Sequence, residues 1–167
     1  GAGHVGRSLC TIASQLPLRL VALDSRDTMR ALVPHADNVT VTDMAEPEIC
    51  VRSIPRNAAV LVMTHSHELD YELCHALLRR NELAFVGLIG SHSKAARFRH
   101  RLRKDGVSPQ ATDRLTSPIG TCGPTSKEPG VIALAALTEI LTIFEELGTK
   151  NQADIDSQSD SVSNQQR

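Results

Sequence analysis

Aromatic side chains are scarce in this chain of 167 residues: they make up only 2% of it, and tryptophan is absent. Proteins that bind single-stranded nucleic acid stack bases on aromatic rings, so the composition argues against such a module. Long apolar runs are missing too, and a bilayer-spanning helix needs about 20 apolar residues in succession. The formal net charge is only -1, so bulk electrostatics attract neither nucleic acid nor a membrane surface. We therefore predict no nucleic-acid partner and no membrane partner, and any anion site must be local.

The four cysteines lie far apart and form no CxxC pair. Neither a zinc ribbon nor a disulfide framework is indicated, and a reducing compartment fits best, which predicts a cytoplasmic location. Cys10, Cys50 and Cys74 fall in predicted helices and are interpreted as packing residues. Cys122 instead lies in a glycine-rich loop, where a thiol could carry sulfur or bind a soft metal.

Short β-rich apolar runs alternate with helical stretches, which predicts an α/β fold with a doubly wound, mostly parallel sheet of the Rossmann type. The run AVLVM at 59–63 shows no polar alternation, as expected for a central strand that is buried on both faces. The predicted strands are 18–23, 38–41, 59–63 and 84–89, and the predicted helices are 5–13, 28–33, 46–52, 69–80, 94–104 and 129–147.

One domain is predicted over residues 1–147, because the chain is long enough for a single hydrophobic core. Residues 148–167 are polar and nearly free of large apolar groups, so we expect a disordered tail there. The chain opens directly on GAGHVG, a glycine pattern that normally follows a buried strand. The first strand of the sheet is accordingly expected upstream of Gly1.

The glycine pattern of Gly1, Gly3 and Gly6 predicts a nucleotide-type turn, in which the backbone approaches a pyrophosphate and a helix N-terminus offers free N–H groups. Asp24 ends the next strand, 18 residues beyond Gly6, near the usual distance for an acid that bonds a ribose hydroxyl. A glycine turn kept only for helix packing is the alternative. Arg26 could favour a 2′-phosphate or could simply be an exposed residue at a helix start.

The segment THSHELD follows the predicted central strand and places Thr64, His65, His67 and Asp70 at the carboxyl edge of the sheet, where open parallel sheets bind ligands. Two histidines at i and i+2 invite a metal site, since imidazole suits zinc, iron or copper. The segment lacks the third ligand in the spacing that HxHxDH hydrolases use, so hydrogen bonds to a ligand are favoured over metal ligation. Glu68 is interpreted as a group that favours the dipole of the following helix.

The segment GLIGSHSK contributes Gly90, Ser91, Lys94 and Arg97 at the next strand end. Serines can cap the following helix, and the two basic side chains lie in its first turn, where they could meet a phosphate. Ala95, Phe98 and Leu102 form an apolar stripe at helical spacing. The more distant basic residues are interpreted as a solvated face, namely Arg99, Arg103 and Lys104.

The last candidate residues are Lys127 and Glu128, at the start of the long C-terminal helix. They could face the cleft as a charge pair, or Lys127 could be solvated while Glu128 answers the helix dipole and Ser126 caps the helix. Both interpretations remain open. No catalytic residue and no metal ligand is assigned.

Taken in order, the segments GAGHVGRSL, VALDSR, VLVMTHSHELD, FVGLIGSHSKAARFRHRL and SPIGTCGPTSKEPGVIALAALTEIL resemble the C-terminal Rossmann domain of the XdhC/CoxI family. The resemblance covers residues 1–147, and its most specific parts are THSHELD, GLIGS with its following basic helix, and the KEP helix start. It places Gly1, Gly3, Gly6 and Asp24 in the nucleotide fingerprint. It also matches His65, His67, Asp70, Ser91, Lys94, Arg97, Lys127 and Glu128 to family-typical positions near the cleft.

The resemblance implies an accessory factor that binds the molybdenum cofactor as cargo, assists its sulfuration with a cysteine desulfurase, and delivers it to xanthine dehydrogenase or a related molybdenum hydroxylase. One departure concerns sulfur: family members often carry CPIG where this chain has Ser117 before Pro118, and whether Cys122 substitutes is open. The N-terminal domain with its own cysteine motif, usual in the family, is also missing from this chain. A homodimer is plausible for such domains.

Two other functions compete with this one. A Rossmann nucleotide site could serve an NAD(P)-dependent oxidoreductase, with Asp24 on the ribose and His65 as proton donor. A metal hydrolase would instead use His65 and His67 as ligands.

Overall fold

The computed structural model of the protein describes residues 1–44, 46–121, 124 and 126–163, and residues 149–163 by their backbone only. Helices and strands alternate along most of the chain. The strands are β1 (Leu20–Leu23), β2 (Val39–Thr42), β3 (Ala59–Val62), β4 (Phe85–Leu88) and β5 (Leu115–Thr116). The helices are α1 (His4–Ala13), α2 (Asp27–Arg30), α3 (Pro47–Ser53), α4 (His67–Leu78), α5 (His92–Lys104), α6 (Pro109–Asp113) and α7 (Pro129–Ser163).

All strand pairs of the described sheet are parallel, which confirms the predicted fold class. β1 pairs with β2, while β3, β4 and β5 form a second group in that order. The glycine turn lies between the carboxyl ends of the two groups, because Ala2 bonds Asp24 after β1 and Gly1 abuts Met63 after β3. The expected strand before Gly1 stays a prediction.

Helices cover the sheet on both faces, as a doubly wound fold requires. Alternate residues of β3 serve different cores: Val60 and Val62 pack with α4 and α5, whereas Leu61 packs with α1 and α7. All four residues of β4 are buried, which makes β4 the central strand of its group. The strand AVLVM predicted for this role is β3, which is only half-buried over most of its length.

The predicted helix stripe of Ala95, Phe98 and Leu102 is confirmed, since each is at most 4% exposed. The solvated role predicted for Arg99 is wrong. Its guanidinium is partly buried and donates to the carbonyl of Leu115 at 2.8 Å. A long side chain on the edge of a buried stripe can lay its stem along apolar surface and still reach a backbone acceptor, which helical spacing does not reveal.

Two short elements escaped prediction. α6 and β5 span only five and two residues, too few to show a hydrophobic period. The C-terminal helix is also longer than predicted: α7 runs to Ser163, beyond the boundary expected at Leu147. A helix that is already nucleated adds each further turn at little cost, so polar residues can extend it. The division into a domain over 1–147 and a tail over 148–167 stays a prediction.

The cysteines on helices pack in the core or beside it, as expected. Cys10 and Cys74 are at most 1% exposed, and burial raises the pKa of the Cys74 thiol to about 12. Such a thiol is inert because the nucleophilic form is the thiolate. Cys122 lies outside the described residues. Within the part of the chain that was searched for membrane spans, no helix has the length and hydropathy needed to cross a bilayer.

Candidate functional site

Close backbone contacts explain two of the three glycines in the turn before α1. A Cβ added to Gly1 would lie 2.2 Å from the carbonyl oxygen of Met63, and one added to Gly6 would lie 2.0 Å from the carbonyl oxygen of Gly1. Gly3 differs, because a Cβ there would meet no atom within 4 Å. The middle glycine therefore faces open space at the helix start, which is where a bound phosphate needs room.

The N-terminus of α1 lacks a side-chain cap. Gly3 is its N-cap residue and no acidic residue lies in its first turn, and among the described residues no side chain accepts from the first-turn N–H groups. α4 and α5 are capped instead by Ser66 and Ser91, which accept from the backbone N–H groups of Leu69 and Lys94 at 3.3 Å. The α1 N-terminus thus keeps the free donors and the partial positive charge that attract an anion.

Asp24 lies beside the turn and is only 3% exposed. Its Oδ2 accepts from the Ala2 N–H at 2.7 Å and from Arg26 Nη2 at 2.8 Å. Its Oδ1 accepts from the Arg26 N–H at 3.0 Å and from Arg26 Nε at 2.8 Å. The hydrogen bonds from the Arg26 side chain, aided by those from the backbone, hold the pKa of Asp24 well below its usual value. The carboxylate is therefore charged and fully paired.

The loop after β3 is organised by hydrogen bonds among its own residues. Thr64 Oγ1 donates to the Ser66 carbonyl at 2.9 Å and accepts from the Ser66 N–H at 3.1 Å. The backbone N–H of Thr64 donates to Asp70 Oδ1 at 2.8 Å. Thr64 and Asp70 are thus positioning residues, which hold the loop against the start of α4.

A buried ion pair ties this loop to the first turn of α5. Lys94 Nζ donates to Asp70 Oδ2 at 2.7 Å and to the carbonyl of Ile89 at 3.2 Å. The side chains of Lys94 and Asp70 are 12% and 1% exposed. The Lys94 stem lies across Gly90, where a Cβ would come within 2.7 Å of Lys94 Cδ. The sequence predicted a cleft role for both charged residues, and the structure shows that they are each other's partners.

The sequence profile of the XdhC Rossmann domain matches residues 1–140. The chain belongs to the XdhC family. The uncharacterized protein YqeB of Escherichia coli (strain K12) is 28% identical over 146 residues, which cover 86% of this chain and 26% of YqeB. A crystal structure of a xanthine dehydrogenase from Bacillus halodurans superposes with a TM-score of 0.67 and 28% identity, over 87% of this chain and 41% of that one. The XdhC chain thus spans less than half the length of either relative.

Exposed basic side chains of the XdhC domain gather near the start of α5. Arg97 is exposed, and its Nη2 lies 3.5 Å from Nδ1 of His67, also exposed, in the first turn of α4. His65 is exposed in the loop before α4. A cation beside His67 disfavours a metal cation at the same imidazole. Among the residues searched for metal sites, no three His, Cys, Asp or Glu side chains are grouped closely enough to hold an ion.

The role of Glu68 is not limited to favouring the dipole of α4. Its two carboxylate oxygens accept from Arg101 Nη2 at 2.8 Å and Nη1 at 3.2 Å, which joins the first turn of α4 to the last turn of α5. Arg101 also lies over the ring of Tyr71, 3.7 Å from its centroid. This cluster joins α4 to α5.

A groove of about 490 Å³ runs between the starts of α1 and α7. It is lined by His4, Arg7, Ser8, Thr11, Ile12, Pro129 and Gly130. Lys127 and Glu128 precede this helix start and are both exposed, and the described salt bridges include neither. The backbone N–H of Glu128 donates to Ser126 Oγ at 3.1 Å, in the turn before α7.

One residue near the edge was missed by sequence analysis. Glu139 of α7 accepts from the backbone N–H of Gly120 at 2.8 Å and so fixes the loop after β5. Gly120 has a φ of +71°, and a Cβ there would lie 2.6 Å from the Ala135 Cβ. A single acid in the apolar run IALAALTEIL was the available signal, because an acid on such a helix usually has a partner.

Ser117, the residue before Pro118, is 8% exposed. Within the described part of the chain its hydroxyl has no hydrogen-bond partner. A buried hydroxyl without a partner costs free energy, so Ser117→Ala should raise the free energy of unfolding by about 1 kcal/mol, measured by urea denaturation. Ser91→Ala, which removes a helix cap, should shift the midpoint in the opposite direction. A less stable Ser117→Ala variant would show that the hydroxyl is bonded.

Proposed function

We propose that this domain is part of an accessory factor that binds the molybdenum pterin cofactor at the carboxyl edge of the sheet, with a phosphate of the cofactor at the start of α1. The observation that carries the proposal is the uncapped α1 N-terminus beside the open space at Gly3. Free backbone N–H groups and a helix dipole together make an anion site. The pterin cofactor carries the phosphate that such a site takes.

The surrounding charges favour an anionic ligand. The first turns of α1 and α5 contain no acidic residue. Arg97 is exposed in the second turn of α5, one turn later than the sequence predicted, because the helix begins at His92. Arg7 and His4 line the groove between α1 and α7, which offers room for a group larger than a phosphate. Arg97 and Arg7 would hold the anion electrostatically, while Lys94 and Asp70 keep the loops that carry the site in register.

Family membership supports the direction of the proposal. The chain belongs to the XdhC family, and a solved structure that it resembles bears the name of a xanthine dehydrogenase. We propose that the client is xanthine dehydrogenase or a related molybdenum hydroxylase and that the domain acts by binding and transfer. Help with sulfuration by a cysteine desulfurase would require a thiol, and the candidate in this chain is Cys122.

An NAD(P)-dependent oxidoreductase is less well supported by the same geometry. It would need Asp24 to accept from a ribose hydroxyl, yet both oxygens of Asp24 already accept hydrogen bonds from Ala2 and Arg26. It would also need a proton donor placed at a substrate. The candidate donor is His65, which instead lies exposed in the loop before α4. No contact of the described residues favours this function.

Native mass spectrometry of the full-length protein tests the proposal. The protein is purified from a host that makes molybdenum cofactor and from one that cannot. We expect a mass increment equal to the molybdenum pterin cofactor in the first preparation only. A dinucleotide increment in both preparations, or no cofactor increment in either, would contradict the proposal.

The contribution of Arg97 is tested in the same assay. Arg97→Ala should lower the fraction of molecules that carry the cofactor, with a loss of affinity of about tenfold, because one charge-assisted contact to the phosphate disappears. Lys104→Ala is the matched control, since Lys104 is exposed on the last turn of the same helix. Equal cofactor loading of Arg97→Ala and the wild type would remove α5 from the site.

A further inference from the structure

Asp24 is the acid of the glycine fingerprint, and donors of the protein itself already occupy the acceptor positions of its carboxylate. An ionised carboxylate offers about four lone-pair positions, and Asp24 uses two on each oxygen. Two donors are the backbone N–H groups of Ala2 and Arg26, and the other two belong to the Arg26 guanidinium. A ribose hydroxyl that approaches this carboxylate meets no free acceptor.

The Arg26 side chain lies directly beside the glycine turn. Its Nη2 and the Ala2 N–H donate to the same oxygen, Asp24 Oδ2, at 2.8 and 2.7 Å. The pairing is bidentate, a geometry in which both parallel N–H bonds fix the plane of the guanidinium. Asp24 is 3% exposed and Arg26 is 35% exposed, so the guanidinium covers the carboxylate on its outer side.

Neighbouring contacts hold the segment that carries Arg26. Arg30 Nη1 donates to the carbonyl of Asp24 at 2.6 Å and to Asp43 Oδ1 at 2.9 Å, and Arg30 also pairs with Asp27. These bonds connect the turn after β1 with the residues after β2. Arg26 is therefore held in place by its backbone as well as by its own pairing.

We infer that Arg26 is a specificity-determining residue, which excludes the ribose diol of NAD from Asp24 and restricts the site to phosphorylated ligands without a ribose at this position. The guanidinium has five N–H donors and spends two of them on Asp24, so three remain beside the turn for an anionic group. Arg26 thus determines which ligands the site excludes. This exclusion holds whether or not the molybdenum pterin is the cargo, so the proposed function and this inference can fail separately.

Titration of the full-length protein with NADH and NADPH, followed by nicotinamide fluorescence, tests the inference. The wild type should bind NADH only with a Kd of about 1 mM or weaker. Arg26→Ala frees two acceptor positions of Asp24 and should bind NADH at least about tenfold more tightly. Arg19→Ala is the control, because it removes an exposed positive charge just before β1 and should leave the Kd unchanged.

Two further variants test whether the gain in NADH affinity comes from the Asp24 carboxylate. The double variant Arg26→Ala with Asp24→Asn should lose the gain if the ribose uses Asp24. Arg26→Lys, which keeps the charge but cannot pair in a bidentate way, should show a smaller gain and serves if Arg26→Ala does not fold. Tight NADH binding by the wild type, tighter NADPH than NADH binding by the wild type, or an unchanged Kd in both folded Arg26 variants would each overturn the inference.

Discussion

Replacing Lys94 with alanine is expected to lower the free energy of unfolding by about 3–5 kcal/mol, because it leaves the carboxylate of Asp70 buried without its cation. Asp70 is 1% exposed, and within the described part of the chain its carboxylate has one other partner, the backbone N–H of Thr64. The loss is a large part of the total stability of a domain of this size, which is about 5–15 kcal/mol. Urea denaturation followed by circular dichroism measures it.

A double-mutant cycle separates the ion pair from other effects of the lysine. Asp70→Asn alone should also destabilise the domain, and Lys94→Ala combined with Asp70→Asn should be less destabilised than the sum of the two single changes. Lys104→Ala on the same helix should change the free energy of unfolding by less than about 0.5 kcal/mol. Additive effects of Lys94 and Asp70 would show that the pair contributes no coupling.

The second large effect is expected at the glycine turn. Gly6→Ala should lower the free energy of unfolding by about 1–3 kcal/mol, because the new Cβ would meet the Gly1 carbonyl oxygen at 2.0 Å and one backbone segment must shift. Alanine is the better helix former by about 1 kcal/mol, so the net loss understates the clash. The midpoint temperature of thermal denaturation and the fraction of molecules that carry the cofactor should both decline.

Gly3→Ala is the matched comparison. A Cβ at Gly3 meets nothing within 4 Å, and its φ of -70° suits alanine, so the thermal midpoint should stay close to that of the wild type. Cofactor loading in the native mass spectrum should nevertheless decline, because the methyl group enters the space in front of the α1 N-terminus. Full loading of Gly3→Ala would show that the anion does not sit there.

The main elements followed from local sequence because helical stripes alternate with short apolar, β-rich runs along the chain. The helix over 94–104 was predicted from the stripe of Ala95, Phe98 and Leu102, and the structure has α5 from His92. α6 and β5 were not predictable, because five and two residues do not establish a period. The relative burial of β3 and β4 depends on strand order, which is a matter of long-range pairing.

The candidate site was predictable as a set of positions but not as a set of contacts. Residues that follow parallel strands meet at one edge of the sheet, so GAGHVG, THSHELD and GLIGSHSK could be placed together from order alone. Which of their charged side chains remain free to bind a ligand could not be predicted. Lys94 and Asp70 are 24 positions apart, and no local pattern signals that they pair with each other.

The sequence by itself determined the parallel α/β fold, the glycine turn and the resemblance to the XdhC family, because these depend on periodicity and on short motifs. Only the tertiary structure decided that Arg26 occupies acceptor positions of Asp24, that Asp70 pairs with Lys94, and that Gly3 faces open space beside an uncapped helix. The physical reason is that hydrogen-bond acceptors are limited in number. A side chain can be assigned to a ligand only after its protein partners are known.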